Sequence, residues 1–182
     1  MTTQELIQPK TMSGATLPLP ALPQDNLLSV SIDQIPLIKN VFPGIHIRPL
    51  RIDVERGEWV FLAIMEPGSA LPVHYHTGTA QVWTISGCWK YAEYPDQPQT
   101  AGTYLYEPAG SVHTFYVPKE NTEDTVALAW IEGAQVGFHE DGRFHSMNDA
   151  TSIRYAIEML ASAQGIGPVG YIRGGGAEVV GS

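Results

Sequence analysis

Three histidines dominate the chemistry available to this chain. His74 and His76 stand two residues apart in LPVHYH, a segment that reads as extended. Successive side chains of a strand point to opposite faces, so two imidazoles two apart share a face and can grip one ion from a single rigid element. His113 follows the turn-forming Pro108-Ala109-Gly110 closely and starts a later strand that can return it to the same point. Three neutral imidazoles suit Fe, Zn, Cu, Ni or Mn, and the nitrogens alone do not choose among these metals.

Other groups could serve such an ion. Glu107 sits just before the Pro-Ala-Gly turn. Inside a cavity it would orient a ligand histidine or accept a substrate proton; outside it is a solvated strand-end acid. Alternation puts Gln81, Trp83 and Ile85 on one strand face and Phe115 on the face of His113. Trp83, Trp89, Tyr91, Phe115 and Trp130 are the candidate pocket walls, where rings would stack on an aryl substrate, although core packing alone also explains aromatic residues. His139 and His145 flank Glu140-Asp141-Gly142 and read as a surface hairpin rather than a second metal site. Cys88 reads as a small packing residue, and Arg48 and Arg51 as members of structural ion pairs.

The elements that must hold these groups are mostly strands. Turn signals recur at short intervals from Glu55-Arg56-Gly57 to Pro118, and strands fit near 69–75, 80–86, 88–94, 103–107, 112–117 and 125–132, with a hairpin over 135–147. The period changes only near the end. Asn148 or Asp149 can cap a helix over roughly 151–163, with Ile153, Ala156, Ile157 and Leu160 on one face and Gly165 ending it. Residues 1–26, with PLPALPQ, read as an extended arm, 27–148 as one β domain, and 149–182 as the helix and a loose glycine-rich tail.

Composition sets the outer limits. A chain of 182 residues with 43% hydrophobic and 16% charged residues suits one globular domain. The net charge of −9, without a Lys/Arg cluster, argues against nucleic acid or an anionic membrane as partner. One cysteine permits no intrachain disulfide, and no apolar run is as long as a bilayer span. A cytoplasmic protein is the expectation.

The spacing around the histidines resembles the two cupin motifs. Gly68, five residues, His74-Tyr75-His76 and Gly87 follow the first; Gly102, five residues, Pro108-Ala109-Gly110, two residues and His113 follow the second. The resemblance implies an all-β fold, a single cupin jelly-roll barrel or sandwich. It departs at Gln81, where the pattern usually supplies a Glu ligand, and at Val117, where Asn is usual. Gln81 is therefore expected as a weak fourth or supporting group. The blocks LPVHYHTGTAQVWTISGCWKY and AGTYLYEPAGSVHTFYVP further resemble the 2,4'-dihydroxyacetophenone dioxygenase group of ChrR-like cupins.

That group implies Fe(II) on His74, His76 and His113, with Zn, Ni and Mn as alternatives. It also implies oxidative C–C cleavage of an aryl hydroxymethyl ketone by O2, giving an aryl carboxylate and formate. The competing expectations are acetylacetone-type β-diketone cleavage, a metal or small-molecule sensor without catalysis, and a zinc isomerase or cyclase. Cupins of this size also imply a homodimer or homotetramer.

Overall fold

The computed structural model describes residues 8–18 and 28–175. Among the described residues, thirteen strands and one α-helix come after a short 3-10 turn at Ile32–Gln34. The strands are β1 (Ile38–Phe42), β2 (Ile45–Asp53), β3 (Glu58–Met65), β4 (His74–His76), β5 (Ala80–Ser86), β6 (Cys88–Tyr91) and β7 (Gln99–Thr100). Then come β8 (Tyr104–Glu107), β9 (Phe115–Tyr116), β10 (Thr125–Glu132), β11 (Gln135–Phe138), β12 (Phe144–Asn148), the helix α1 (Ala150–Ala163) and β13 (Ile172–Gly174).

The strands form three hydrogen-bonded sheets and not a closed barrel. The large sheet runs β1-β2-β3-β10-β5-β8, and β13 adds in parallel along the second half of β2. Two smaller sheets, β12-β11-β4 and β7-β6-β9, complete a cupin sandwich. β10 alternates cleanly, and Ala63 and Met65 of β3, Ala80 of β5 and Ala127, Ala129 and Ile131 of β10 are buried between the layers, while Leu62 is buried on the other face of β3. β2 loses this alternation at Pro49, where a bulge shifts its register with β3; a proline supplies no N–H to the ladder.

The helix starts where a polar cap permits it. Asp149 accepts from the Ser152 amide at 2.8 Å, and the Ser152 hydroxyl accepts from the Asp149 amide at 2.7 Å. This reciprocal box satisfies two otherwise orphaned donors. Ile153 and Ile157 are buried as the periodicity requires, with Ala150 and Ala161, while Leu160 is half-buried against the same cluster. Gly165 takes φ +67° just past the helix end.

Both chain ends behave less simply than expected. Lys10 and Thr16 bridge around a tight turn, while most of PLPALPQ lies outside the described residues. The glycine-rich tail carries no sequence signal for β13, yet Ile172–Gly174 pair with Arg51–Asp53. Residues 176–182 lie outside the described residues. Among the described residues no helix is long and apolar enough to cross a membrane.

Candidate metal centre

Backbone pairing brings the three histidines together. β4 lies beside β11, with His76 opposite Gln135 and His74 opposite Gly137. Its other edge meets the chain around His113. The His74 amide donates to the His113 carbonyl at 3.0 Å and the His113 amide donates back at 2.9 Å. The same ladder continues through Leu71 to Phe115 and Gly68 to Val117. The formal strands β4 and β9 are shorter than the sequence suggests, but the hydrogen bonding spans nearly the whole expected pair. Gly110 anchors the Pro-Ala-Gly turn by donating to the His76 carbonyl at 2.8 Å.

The side chains then converge. All three imidazoles are buried, and one ligand atom from each lies within 4.8 Å of the others. His74 Nδ1 faces the Pro72 carbonyl at 2.8 Å, so it carries the proton and leaves Nε2 free to ligate. Burial lowers the pKa of His74 against the pull of that carbonyl, and lowers His76 to about 4 despite the nearby Glu107 charge. Both rings are therefore neutral near pH 7, the form that binds metals.

Glu107, at the end of β8, completes the cluster. Its Oε2 lies 3.4 Å from His76 Nε2 and 3.2 Å from His113 Nε2. Its Oε1 accepts the Tyr91 hydroxyl, and the Tyr91 ring lies tilted on His113 with centroids 4.2 Å apart. Burial would raise the Glu107 pKa, but contact with His113, the Tyr91 hydrogen bond and the proximity of His76 outweigh it and hold the acid ionised. Burial and the Glu107 carboxylate together push the Tyr91 hydroxyl well above its ordinary value, so it stays protonated.

These residues fit a metal ion. His113 Nε2 and Glu107 Oε2 are buried without a hydrogen-bond partner, an arrangement that costs free energy unless a cation lies between them. Bonds of about 2.0–2.2 Å give polyhedron edges of roughly 2.8–3.6 Å, and both Glu107 spacings fall in that range. The set can hold one divalent ion through three nitrogens, with a carboxylate oxygen at a fourth corner.

The surrounding cavity, about 110 Å³, lies between the large sheet and the two small ones. Its wall is mostly apolar, and no lysine or arginine lines it. Of the expected wall aromatics, Trp89, Tyr91 and Phe115 line it. Trp83 and Trp130 do not: both are exposed on the outer face of the large sheet, where Trp130 lies under the Arg51 guanidinium. Gln81 is also corrected. Alternation turns Ala80 and Val82 inward, and the Gln81 amide instead accepts the Tyr104 hydroxyl at 2.8 Å. The carboxylate beside the histidines is Glu107, whose strand pairs with β5 so that Glu107 stands opposite Ala80.

Several wall residues have no distinct mark in the sequence. Gln135 brings a polar side chain to the cavity from β11, and Phe42, Phe61, Met65 and Trp59 come from β1 and β3. The two-residue spacing of Trp59, Phe61 and Met65 in β3 is the signal that could have found those three. The remaining histidines stand apart. His46 is buried between the Asn40 amide and Glu66, and His139 meets His145 edge to face on an exposed hairpin. Arg51 pairs with Glu58, and Arg48 donates to the Ile35 carbonyl.

Comparison with known proteins agrees with this architecture. Residues 26–138 match the family described as ChrR Cupin-like domain. A protein of unknown function with a cupin-like fold from Ralstonia eutropha JMP134 is 38% identical, with a TM-score of 0.81 over 88% of this chain and 99% of its own. An RmlC-like cupin from the same organism is 24% identical, with a TM-score of 0.72 over 80% and 93%. Acetylacetone dioxygenase from Acinetobacter johnsonii is 16% identical, with a TM-score of 0.62 over 74% and 91%, and shares the fold. No curated protein matches the chain.

Proposed function

Since the chain belongs to the ChrR cupin-like family, we propose that it is a mononuclear non-haem Fe(II) dioxygenase. Its reaction would cleave the C–C bond between the carbonyl and hydroxymethyl carbons of an aryl hydroxymethyl ketone such as 2,4'-dihydroxyacetophenone. One O2 is consumed, both its atoms end in the products, and an aryl carboxylate and formate result. The observation that carries this reading is the convergence of three buried histidines beside an ionised glutamate in an apolar cavity.

Ferrous iron held by His74, His76 and His113 would supply Lewis acidity and the reducing electron density that dioxygen chemistry needs. The protein's own groups do the rest. Glu107 Oε2 sits at the cluster and, once a substrate hydroxyl takes its place there, would be free to accept the proton of that hydroxyl. Tyr91 holds Oε1 and so keeps the carboxylate aimed. A wall without lysine or arginine selects a neutral substrate over a carboxylate. Trp89 and Phe115 offer ring faces, and the apolar enclosure keeps water from the reacting centre.

Cavity size favours a second reading, cleavage of a small β-diketone. A cavity of about 150 Å³ accommodates benzene, and this one is about 110 Å³. An aryl ketone therefore requires the walls to move more than acetylacetone does. The Acinetobacter johnsonii structure, an acetylacetone dioxygenase, has this fold. Anaerobic loading with Fe(II), followed by oxygen uptake with each substrate and mass analysis of products, separates the two. Hydroxybenzoate and formate in equal amounts are expected from the aryl ketone. Uptake with acetylacetone alone would transfer the assignment to the diketone, and uptake with neither would overturn the dioxygenase.

A further inference from the structure

Gln135 is a polar side chain on the cavity wall that takes no part in the metal cluster. It stands directly opposite His76 in the ladder between β4 and β11. Opposed residues of a ladder share a face, so the Gln135 side chain leaves β11 on the inner side, next to the His76 ring. It is 6% exposed and lines the cavity. Among the described residues its amide has no hydrogen-bond partner. Those of Gln81, Gln99 and Gln164, by contrast, bond to Tyr104, the Gln97 carbonyl and the Lys39 main chain. Its neighbours on the same rung do not use it either, since His76 Nδ1 and Asn148 Nδ2 are both buried without a partner.

Burying an unpaired amide costs free energy, and a methionine would fill the same space without that cost. Apolar pockets use a few polar groups of this kind to fix the orientation of a ligand. The other polar groups of this wall are committed or closed off. His74, His76 and Glu107 face the ion position, and the Tyr91 hydroxyl donates to Glu107. Trp59 Nε1 lacks a partner but is covered by the protein. The Gln135 amide is uncharged, so it suits a neutral oxygen better than a carboxylate.

We infer that Gln135 is a specificity-determining residue, whose amide N–H donates to the carbonyl oxygen of a neutral ketone lying against the three histidines. The inference rests on the reading of this site as one that takes a ketone, whether aryl ketone or β-diketone. It gives an otherwise apolar wall a means of preferring a ketone to a hydrocarbon of the same shape. It also fixes which end of the molecule lies toward the metal ligands.

The test titrates anaerobic, Fe(II)-loaded protein with acetophenone and with ethylbenzene, which has nearly the same shape without the oxygen. The native protein should prefer the ketone. Gln135→Met keeps the length of the side chain but not its amide. It should reduce that preference about three- to tenfold, the worth of one neutral hydrogen bond, and leave iron affinity unchanged. The metal-free variant should melt no lower than the native protein, because the unpaired amide is gone. No ketone preference in the native protein, an unchanged preference in the variant, or weakened iron binding would each overturn the inference. An unchanged preference with a lower Tm would mark Gln135 as a packing residue. If the variant fails to fold, the Zn(II)-loaded native protein decides: the Gln135 side-chain amide resonances should move with acetophenone and not with ethylbenzene, and an equal response would overturn the inference. Oxygen uptake is read separately. A lost preference in the variant, with no uptake by the native protein, strikes the dioxygenase and keeps the inference; native uptake with an unchanged preference strikes the inference alone.

Discussion

His74 and His113, 39 positions apart in sequence, exchange both backbone hydrogen bonds, at 3.0 and 2.9 Å, with ring centroids 4.6 Å apart. The third nitrogen of the candidate centre is thus fixed by main-chain pairing and not by the reach of a flexible side chain. Such rigidity is what a metal site with exchangeable positions needs, because its ligands must hold their geometry while substrate comes and goes.

The carboxylate beside these rings separates two roles by experiment. Glu107→Gln removes the charge but keeps the shape. Iron affinity should fall about 10–100-fold, and turnover at saturating iron should fall about 10²–10⁴-fold. Tyr91→Phe, which frees Oε1, should show a smaller loss of the same kind. Titration of iron binding alongside oxygen uptake measures both, and full turnover by Glu107→Gln would remove this residue from the chemistry.

Acid should destabilise the metal-free protein well before ordinary carboxylates titrate. His76 has a pKa of about 4 when folded against its ordinary 6.5. Between those values the unfolded chain binds the proton and the folded chain does not, so stability rises with pH across that window. As pH falls from about 6.5 towards 4, roughly 3 kcal/mol should be lost on account of His76. His74 acts in the same direction. Glu107, lowered in the fold, adds a loss at still lower pH as it is protonated. Urea unfolding of chelator-treated protein across this range measures the slope, and a flat profile between pH 7 and 5 would contradict neutral buried imidazoles.

Gly133 offers a backbone test. It has φ +74°, and a Cβ there would lie 2.4 Å from Thr77 Oγ1 and 2.8 Å from the Gly78 amide. The clash is partly with main chain, just beyond His76. Gly133→Ala should cost about 1–3 kcal/mol and loosen iron binding as well. Thermal unfolding with and without Fe(II) should show a smaller metal-induced rise in Tm than in the parent protein.

The central part of the site was legible because it is local. A two-residue spacing in a strand forces His74 and His76 together, and a Pro-Ala-Gly turn before His113 marks a fixed return of the chain. Alternation also told correctly which residues share a face, as Gln81, Trp83 and Ile85 show. What alternation leaves open is which face is inside: a strand of Ala80, Val82 and Thr84 against Gln81, Trp83 and Ile85 looks more apolar on the side that proves to be outward. Small residues face inward because the layers are close and Phe61, Met65 and Trp89 already occupy much of the space around the cavity. Glu107 could not be decided from its neighbours, since its burial depends on β8 pairing with β5. β13 was hidden for a similar reason: three residues of a glycine-rich tail form a strand only because β2 leaves an edge free beyond β1.

X-ray absorption at the iron edge of the anaerobically loaded protein tests the central claim most directly. One Fe(II) per chain, with three imidazole nitrogens and at least one oxygen at about 2.0–2.2 Å, is the expected result, and His113→Ala should lose one of those nitrogens together with most of the affinity. Iron bound through fewer than three imidazoles, or bound equally well after His113 is removed, would contradict it.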